Sequence, residues 1–492
     1  MRTLSICSYL LFNTVFLIGW NSSIGLANET IDLTLRQRLE TSTGSERFHI
    51  RYRQASWVGS QTAVVVCDMW DLHHCRNATL RGAELVPRMN KVLVKFRELG
   101  AIVIHAPSSC TSFYEQHPAR KHAIKTPRSK QLPMEIGQWC RGIPEEEKGK
   151  YPIDQSDGGE DDDADEHAKW AKQLEAMGKN PRAPWTRQTA QLTILDNDYI
   201  SDNGTEIWSI LEDRGITNVV LVGVHTNMCV LGRPFGLRNM ARYGKNVVLM
   251  RDMTDTMYNP AKPPFVSHFM GTDLIVEHIE KWVCPTITSD QLIGGEIFRF
   301  AGDRRPHVVI AMAEREYNTD QTLPAWAITH LGKQYRVTLV HANAKERHDL
   351  PGIDAALKDA DLLIVSVRRR ALPTTQLAAI QRFIKSGKPV LGIRTASHAF
   401  SLRGKATPSG CQVWESFDAD VIGGNYSGHH KVGVRVTIAV AKGQATHSIL
   451  QGVAVAKLVG HGSLYQVTPL NSRANPLLIG TTAGERAEPI AW

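Results

Sequence analysis

The chain has 492 residues, of which 42% are hydrophobic and 22% charged, with a formal net charge of +8. That length and composition suit a globular protein of two or three domains with sizeable buried cores. The basic residues are scattered and no basic run interleaves with aromatics, so a nucleic-acid partner is not expected and the charge reads as solubility.

Arg2 precedes the apolar stretch "YLLFNTVFLIGW", and Gly25 and Ala27 in "SSIGLANET" mark a signal-peptidase site. Residues 1–27 therefore read as a signal peptide, with a mature start near Asn28 and a secreted or periplasmic destination. An uncleaved anchor needs about 20 apolar residues; this run is shorter, and no stable membrane span is expected. With Cys7 removed, Cys67, Cys75, Cys110, Cys140, Cys229, Cys284 and Cys411 remain, an odd number without zinc-site spacing. Disulfides among Cys75, Cys110, Cys140 and Cys284 are an expectation whose pairing spacing cannot choose.

From residue 62 apolar, β-branched runs alternate with amphipathic patterns. "TAVVVCDMW" predicts a buried strand, "LVPRMNKVLVKFRELG" a helix closed by Gly100, and "AIVIHA" the next strand. "EIWSILEDRG", "NVVLVGV", "RPFGLRNMARYG" and "NVVLMRD" repeat the rhythm. Strands that do not alternate, separated by helices, imply a parallel sheet covered on both faces. After "PTITSDQLIGGEIFRFAGDRR", read as a connector, "HVVIAMA", "LPAWAITHLGK", "YRVTLVHA", "ADLLIVSV", "TTQLAAIQRFIKSG" and "KPVLGIRTA" give a second series. Strand-rich segments, "KVGVRVTIAV" and "NPLLIGT", end the chain. The expected fold class is α/β, two parallel-sheet three-layer domains at 28–287 and 305–492, joined by residues 288–304.

An insertion spans roughly residues 107–187. Its acidic run "DQSDGGEDDDADEH" reads as a solvated loop, since the spacing does not fit an EF-hand. "RAPWTRQ" is placed to fold over a pocket, as lids do.

In parallel α/β sheets ligands bind at the carboxyl edge. Asp68 closes "AVVVC", and Cys229 follows "VVLVGV" by a short turn. A thiol at a helix start meets unpaired amides that lower its pKa and could hold an oxyanion. A carboxylate nearby could take the thiol proton and return it to a leaving amine. Against this stand ordinary roles: a buried Cys as a small hydrophobe and an Asp as a cap. Spacing alone leaves Cys229 as readily inert as active.

Residues from about 60 to 284 resemble the isochorismatase-like cysteine hydrolases, through "VVVCDMWD", "GITNVVLVGVHTNMCV" and "GKNVVLMRDMTD". The resemblance implies Cys229 as nucleophile and Asp68 as base. It also implies a cis peptide from Val224 to His225 and an oxyanion hole from the amides around Met228 and Cys229. The family's third catalytic residue, a Lys shortly before the helix near Gly204, has no counterpart in "QLTILDNDYISDNG". Arg187 is the nearest basic candidate; it could anchor Asp68 or a substrate carboxylate but not carry a proton. The Asp-x-His metal pattern of nicotinamidases is missing from "IHAPSSCTSFYEQHPARKH". His73, His74, His105, His117 and His122 therefore read as packing or solvent-facing residues, and no metal is expected. Longer segments beginning at "CDMWDLHHC" resemble an exported branch of the superfamily in planctomycete-type bacteria, which names no substrate. His225, Trp70, Trp139, Trp185 and Tyr258 are candidates to line a pocket, against the commoner core role of aromatics.

Residues 305 to 480 resemble the ThuA-like (trehalose utilisation) domains, which share a class I glutamine-amidotransferase-like fold, through "HVVIAMAEREYNTDQTLPAW", "DADLLIVSVRRRALPTTQLAAIQRFIKSGKPVLGIRTASHAF", "GGNYSGHH" and "SLYQVTPL". Where amidotransferases carry a Cys, this chain has "RTASHAF", and Cys411 lies too far downstream to replace it. Ser397 with His398 makes a weak nucleophilic pair without a third group. Arg394, His398, His429 and His430 are better candidates to grip a polar or anionic ligand, beside the equal alternative of a domain that only packs.

The expected function is hydrolysis of a small amide or related C–N bond through a Cys229 acyl-enzyme. The alternatives are a non-catalytic ligand-binding pseudoenzyme, or carbohydrate-related activity in the second half. The expected partners are an amide-type small molecule and a carbohydrate ligand; the family's habit implies a homo-oligomer. Without a GxGxxG fingerprint or P-loop, no organic cofactor is implied.

Overall fold

The computed structural model describes residues 29–492. The signal-peptide reading lies outside the described residues. Among those described, no helix is long and apolar enough to cross a membrane.

The described chain opens on a hairpin, β1 (Thr30–Glu40) and β2 (Phe48–Val58), before the first expected strand. Ile31, Leu33 and Leu35 alternate inward along β1, the period of a strand with one buried face. There follow β3 (Thr62–Cys67), α1 (Arg76–Glu98), β4 (Ile102–Ala106), α2 (Pro118–Lys125), α3 (Ala164–Ala176), β5 (Tyr199–Ile200) and α4 (Gly204–Asp213). Next come β6 (Asn218–Val224), α5 (Leu237–Arg242), β7 (Asn246–Asp255), α6 (His268–Trp282), β8 (Thr286–Ile287) and α7 (Asp290–Ile293). The sheet order is β2-β1-β8-β7-β6-β3-β4-β5, parallel from β8 to β5, with the hairpin antiparallel at one edge. One face of β3 and β6 packs Val65 and Leu221 under α4 and α6; the other packs Val64, Val66 and Val222 on Met89, Leu93 and Phe96 of α1. Both faces are buried, which is why these strands show no polar alternation. Each such side chain contributes roughly 1.5–3 kcal/mol.

Helix α1 begins at Arg76 rather than Leu85, because its start is made by distant groups. The Cys75 sulfur accepts from the Ala78 amide, and Asp162 accepts from the Arg76 and Asn77 amides. The acidic run is therefore not a solvated loop. Asp161 holds Arg81 through two hydrogen bonds at 2.8 and 3.0 Å, and Asp163 caps α3.

The second half contains β9 (His307–Ala313), α8 (Thr319–Leu331), β10 (Arg336–His341), α9 (Ile353–Ala356), β11 (Leu362–Val367), β12 (Leu372–Pro373), α10 (Thr374–Lys385) and β13 (Val390–Gly392). Its sheet runs β10-β9-β11-β13, all parallel. A smaller antiparallel sheet from Val436–Val440, Val459–Gly460, Leu478–Thr481 and Glu488–Ala491 follows. The chain is thus α/β with two parallel sheets. Phe298 and Phe300, after α7, pack on the first core. The β1–β2 hairpin reaches the second half through Arg47 to Asp320 at 2.9 Å and His49 to the Ala342 carbonyl at 3.1 Å.

All seven cysteines among the described residues are free thiols. The expected disulfides do not form, because each sulfur is packed where its own element puts it, Cys75 as a cap and Cys284 in the core.

Candidate active site

The strand ends of β3 and β6 lie side by side, with Cys67 opposite Gly223. Gly223 has φ +100°, and a Cβ there would stand 2.0 Å from the Cys67 carbonyl oxygen. Only glycine permits that approach. Asp68 leaves β3 with φ +46°, a left-handed conformation that Asp tolerates better than most residues. Its amide donates to the Ala106 carbonyl at 3.1 Å, and its buried carboxylate accepts the Ser108 amide at 2.7 Å.

On β6 the Val224–His225 peptide is cis, and a single π-helical turn, Thr226–Val230, carries Cys229. The amides of Met228 and Val230 donate to the His225 carbonyl at 3.0 and 3.1 Å. The Met228 amide, expected in an oxyanion hole, is thus engaged within the turn itself.

Cys229 is only 8% exposed, and its thiol sits beside the Asp68 carboxylate and the Arg233 guanidinium, close enough for both to act on its titration. The Arg233 Nε stands 3.3 Å from Asp68 Oδ2. Burial and then the Asp68 charge push the thiol well above its ordinary pKa, against the opposing pull of Arg233. This corrects the expectation of a lowered pKa: loss of water and a neighbouring carboxylate outweigh the amides of a short turn. Burial also raises Asp68, and Arg233, Cys229 and Ser108 restrain that rise. The pair therefore rests as a protonated thiol beside a carboxylate that binds protons more readily than usual.

Arg187 does not take the place of the missing Lys. Asp71 holds it, with Nε at 4.0 Å, and its guanidinium lies over Phe113 at 5.4 Å. Arg233 occupies the cationic position on Asp68. It lies four residues past Cys229, its amide donating to the Cys229 carbonyl at 3.0 Å, and its guanidinium stacks on Trp139 at 5.1 Å. The only sequence signal was that spacing in "CVLGR".

Trp70 and Trp185 stack at 4.5 Å and 12°, with His73 beside Trp185 and edge-on to His225 at 4.8 Å. Trp70 packs against the core cluster that contains Cys229. His225 is buried with Nε2 unpartnered, and burial brings it down to about 4, so it is neutral. Tyr258 lies in the core instead of a pocket wall. Its ring packs on Gly271, and its hydroxyl donates to the Lys262 carbonyl at 2.7 Å. Among the other histidines, His117 caps α2, His122 stacks on Tyr199, and His105 is buried between Gln188 and Asp198. His74 pairs with Glu160 at 3.0 Å. Among the described residues Cys75, Asp161 and Asp162 draw together as a metal site would, but Arg81 and the α1 amides take the carboxylate oxygens.

In the second half Arg394 follows β13 with φ +42°, between Tyr317 at 4.6 Å and Tyr465 at 4.3 Å, donating to the Ser463 carbonyl and hydroxyl. His398 lies against Tyr426 at 4.6 Å, and His429 faces Tyr465. Burial and then four arginines bring His398 down to about 3, so it is neutral and cannot attract an anion by charge. His430 pairs with Glu485 at 2.9 Å, which takes it out of the group.

No protein-family model and no curated protein matches the chain. Among solved structures, a cysteine hydrolase from Pseudomonas syringae pv. phaseolicola 1448A is similar at 15% identity, covering 50% of this chain and 96% of its own, with a TM-score of 0.29. N-carbamoylsarcosine amidase from Thermoplasma acidophilum is similar at 15% identity, over 47% of this chain and 97% of its own, with a TM-score of 0.26. A ThuA-like protein from Bacteroides uniformis ATCC 8492 is similar at 14% identity, over 40% of this chain and 80% of its own, with a TM-score of 0.29.

Proposed function

We propose that the first half is a cysteine hydrolase that cleaves a small amide or related C–N bond. The observation that carries this reading is the triad at the carboxyl ends of β3 and β6: a thiol beside a buried carboxylate whose other side is held by Arg233. As the Cys229 sulfur attacks the carbonyl carbon, Asp68 accepts the thiol proton, a C–S bond forms and the carbonyl electrons move to oxygen. The tetrahedral species collapses, the C–N bond breaks, and Asp68 returns the proton to the leaving amine. Water, deprotonated by the same carboxylate, attacks the thioester and releases the acid and the thiol. Arg233 stays charged throughout and opposes the rise that burial imposes on the Asp68 pKa.

The test is turnover of a panel of small amides by the purified chain, with Cys229→Ala as control and mass spectrometry for an acyl group on Cys229. Ammonia or amine release that persists in Cys229→Ala, or a panel with no turnover and no adduct, counts against the reading and favours a ligand-binding pseudoenzyme.

A second reading concerns the other half. Half-buried Tyr426 and Tyr465 gather with Arg394 and His429, a mix of aromatic and polar groups of the kind that binds small molecules, so a carbohydrate-related ligand is proposed there. Tyr465→Ala should abolish sugar-induced quenching of tryptophan fluorescence; quenching that survives places the sugar elsewhere.

A further inference from the structure

The carboxyl edge of the second sheet holds another cavity. Arg315, Arg347, Arg368 and Arg370, with Glu314 and Glu316, line a space of about 110 Å³. Three neighbouring strands supply them: Glu314, Arg315 and Glu316 follow β9, Arg347 follows β10, and Arg368 to Arg370 follow β11. This is the edge where parallel sheets take ligands.

The two acids do not neutralise the four arginines. Both Glu314 oxygens face its own loop, accepting the amides of Glu316, Tyr317 and Thr319 and the Thr319 hydroxyl. Glu316 is taken by Arg368 at 2.5 Å. Arg370 is 3% exposed, and among the described residues only its Nε finds an acceptor, the Ala313 carbonyl at 3.1 Å. No acceptor among the described residues meets its terminal nitrogens, and the residue lines the cavity. Burial and the charges of Arg347, Arg315 and Arg368 pull Arg370 down to about 10, a fall that Glu314 offsets only in part.

We propose that this cavity binds the oxyanion group of a small molecule, with Arg370 as its floor and Arg315 and Arg347 as its outer wall. The space is far below the roughly 300 Å³ of a pocket for a whole small ligand, so it takes a head group: a phosphate or sulfate ester, or a carboxylate. Planar guanidinium forks match all three. Arg369, next to Arg370 in the chain, donates its amide to the carbonyl of His398, which lies against Tyr426. The inference stands independently of the hydrolase reading.

The experiment is calorimetry on the full chain with inorganic phosphate, inorganic sulfate and acetate, each against chloride at matched ionic strength, and with glucose 6-phosphate, glucose 6-sulfate and glucuronate. Arg315 and Arg347 are exposed, so an Arg315→Ala/Arg347→Ala variant should melt with the parent in chloride. One anion class is expected to bind, and the double variant to weaken it by about tenfold or more, the worth of a lost charge-assisted hydrogen bond. Tighter binding of the sugar ester than of the free anion identifies a head group; equal binding identifies the free ion. Cys229→Ala should bind as the parent does. Absence of binding in every arm, or equal binding by the double variant, overturns the proposal.

Discussion

Arg233 Nε stands 3.3 Å from Asp68 Oδ2, at the close of a turn in which the Cys229 carbonyl accepts the Arg233 amide at 3.0 Å. One turn of chain thus delivers both the sulfur and the cation that holds its base. Arg233 lowers the Asp68 pKa that burial raises. Removing the cation must lift it further, and the carboxylate is the form that accepts the thiol proton. Activity should therefore fall as pH drops through the Asp68 pKa, and Arg233→Ala should move that acid limb to higher pH, while Arg233→Lys restores most of the shift. A pH profile of kcat/KM checks this; an unmoved limb would show that Arg233 does not act on Asp68.

Cys229 rests as a thiol because burial and Asp68 raise its pKa. Alkylation by iodoacetamide near neutral pH should be slow, and it should quicken as pH rises. Intact-mass time courses read this directly, with rapid labelling at neutral pH contradicting a protonated resting state.

Arg187 is exposed and sits 4.0 Å from Asp71, a pair worth at most about 1 kcal/mol. Arg187→Ala should change kcat/KM by less than about fivefold, whereas a loss as large as that of Asp68→Asn would return Arg187 to the catalytic group.

Glu146 reports on how the insertion is fastened. Burial would raise its carboxyl, but hydrogen bonds from His278 and Arg238 bring it down to about 2. A depressed acid stabilises the fold above its unfolded pKa, near 4.3, and loses that contribution as pH falls toward 2, at most about 3 kcal/mol. Glu146→Gln should be less stable at pH 6 and show a flatter stability curve between pH 5 and 2 in urea titrations. A slope equal to the parent's would place the acid-sensitive group elsewhere.

Gly223→Ala should cost at least about 2–3 kcal/mol, since the new Cβ meets backbone and the φ is left-handed. An unchanged urea midpoint would mean the two strand ends are not this close.

The apolar runs of β3, β4, β6, β7, β9 and β11 determined two parallel sheets by themselves, because strands buried on both faces carry no polar positions to disguise them. They also placed Asp68 and Cys229 at strand ends. The β1–β2 hairpin was not among the expected strands, because the alternation of "TIDLTLRQRLE" at a sheet edge is a weaker signal than a buried apolar run. What tertiary structure alone decided is partnership. Which cation faces Asp68, which acid starts α1, and whether a thiol is charged depend on groups brought together from distant segments: Ser108, Asp162 and Trp139 all come from the insertion. A side chain's neighbours and its loss of water are properties of the folded space around it, and Arg187 and Arg233 carry the same chemistry until folding sets one on Asp71 and the other on Asp68.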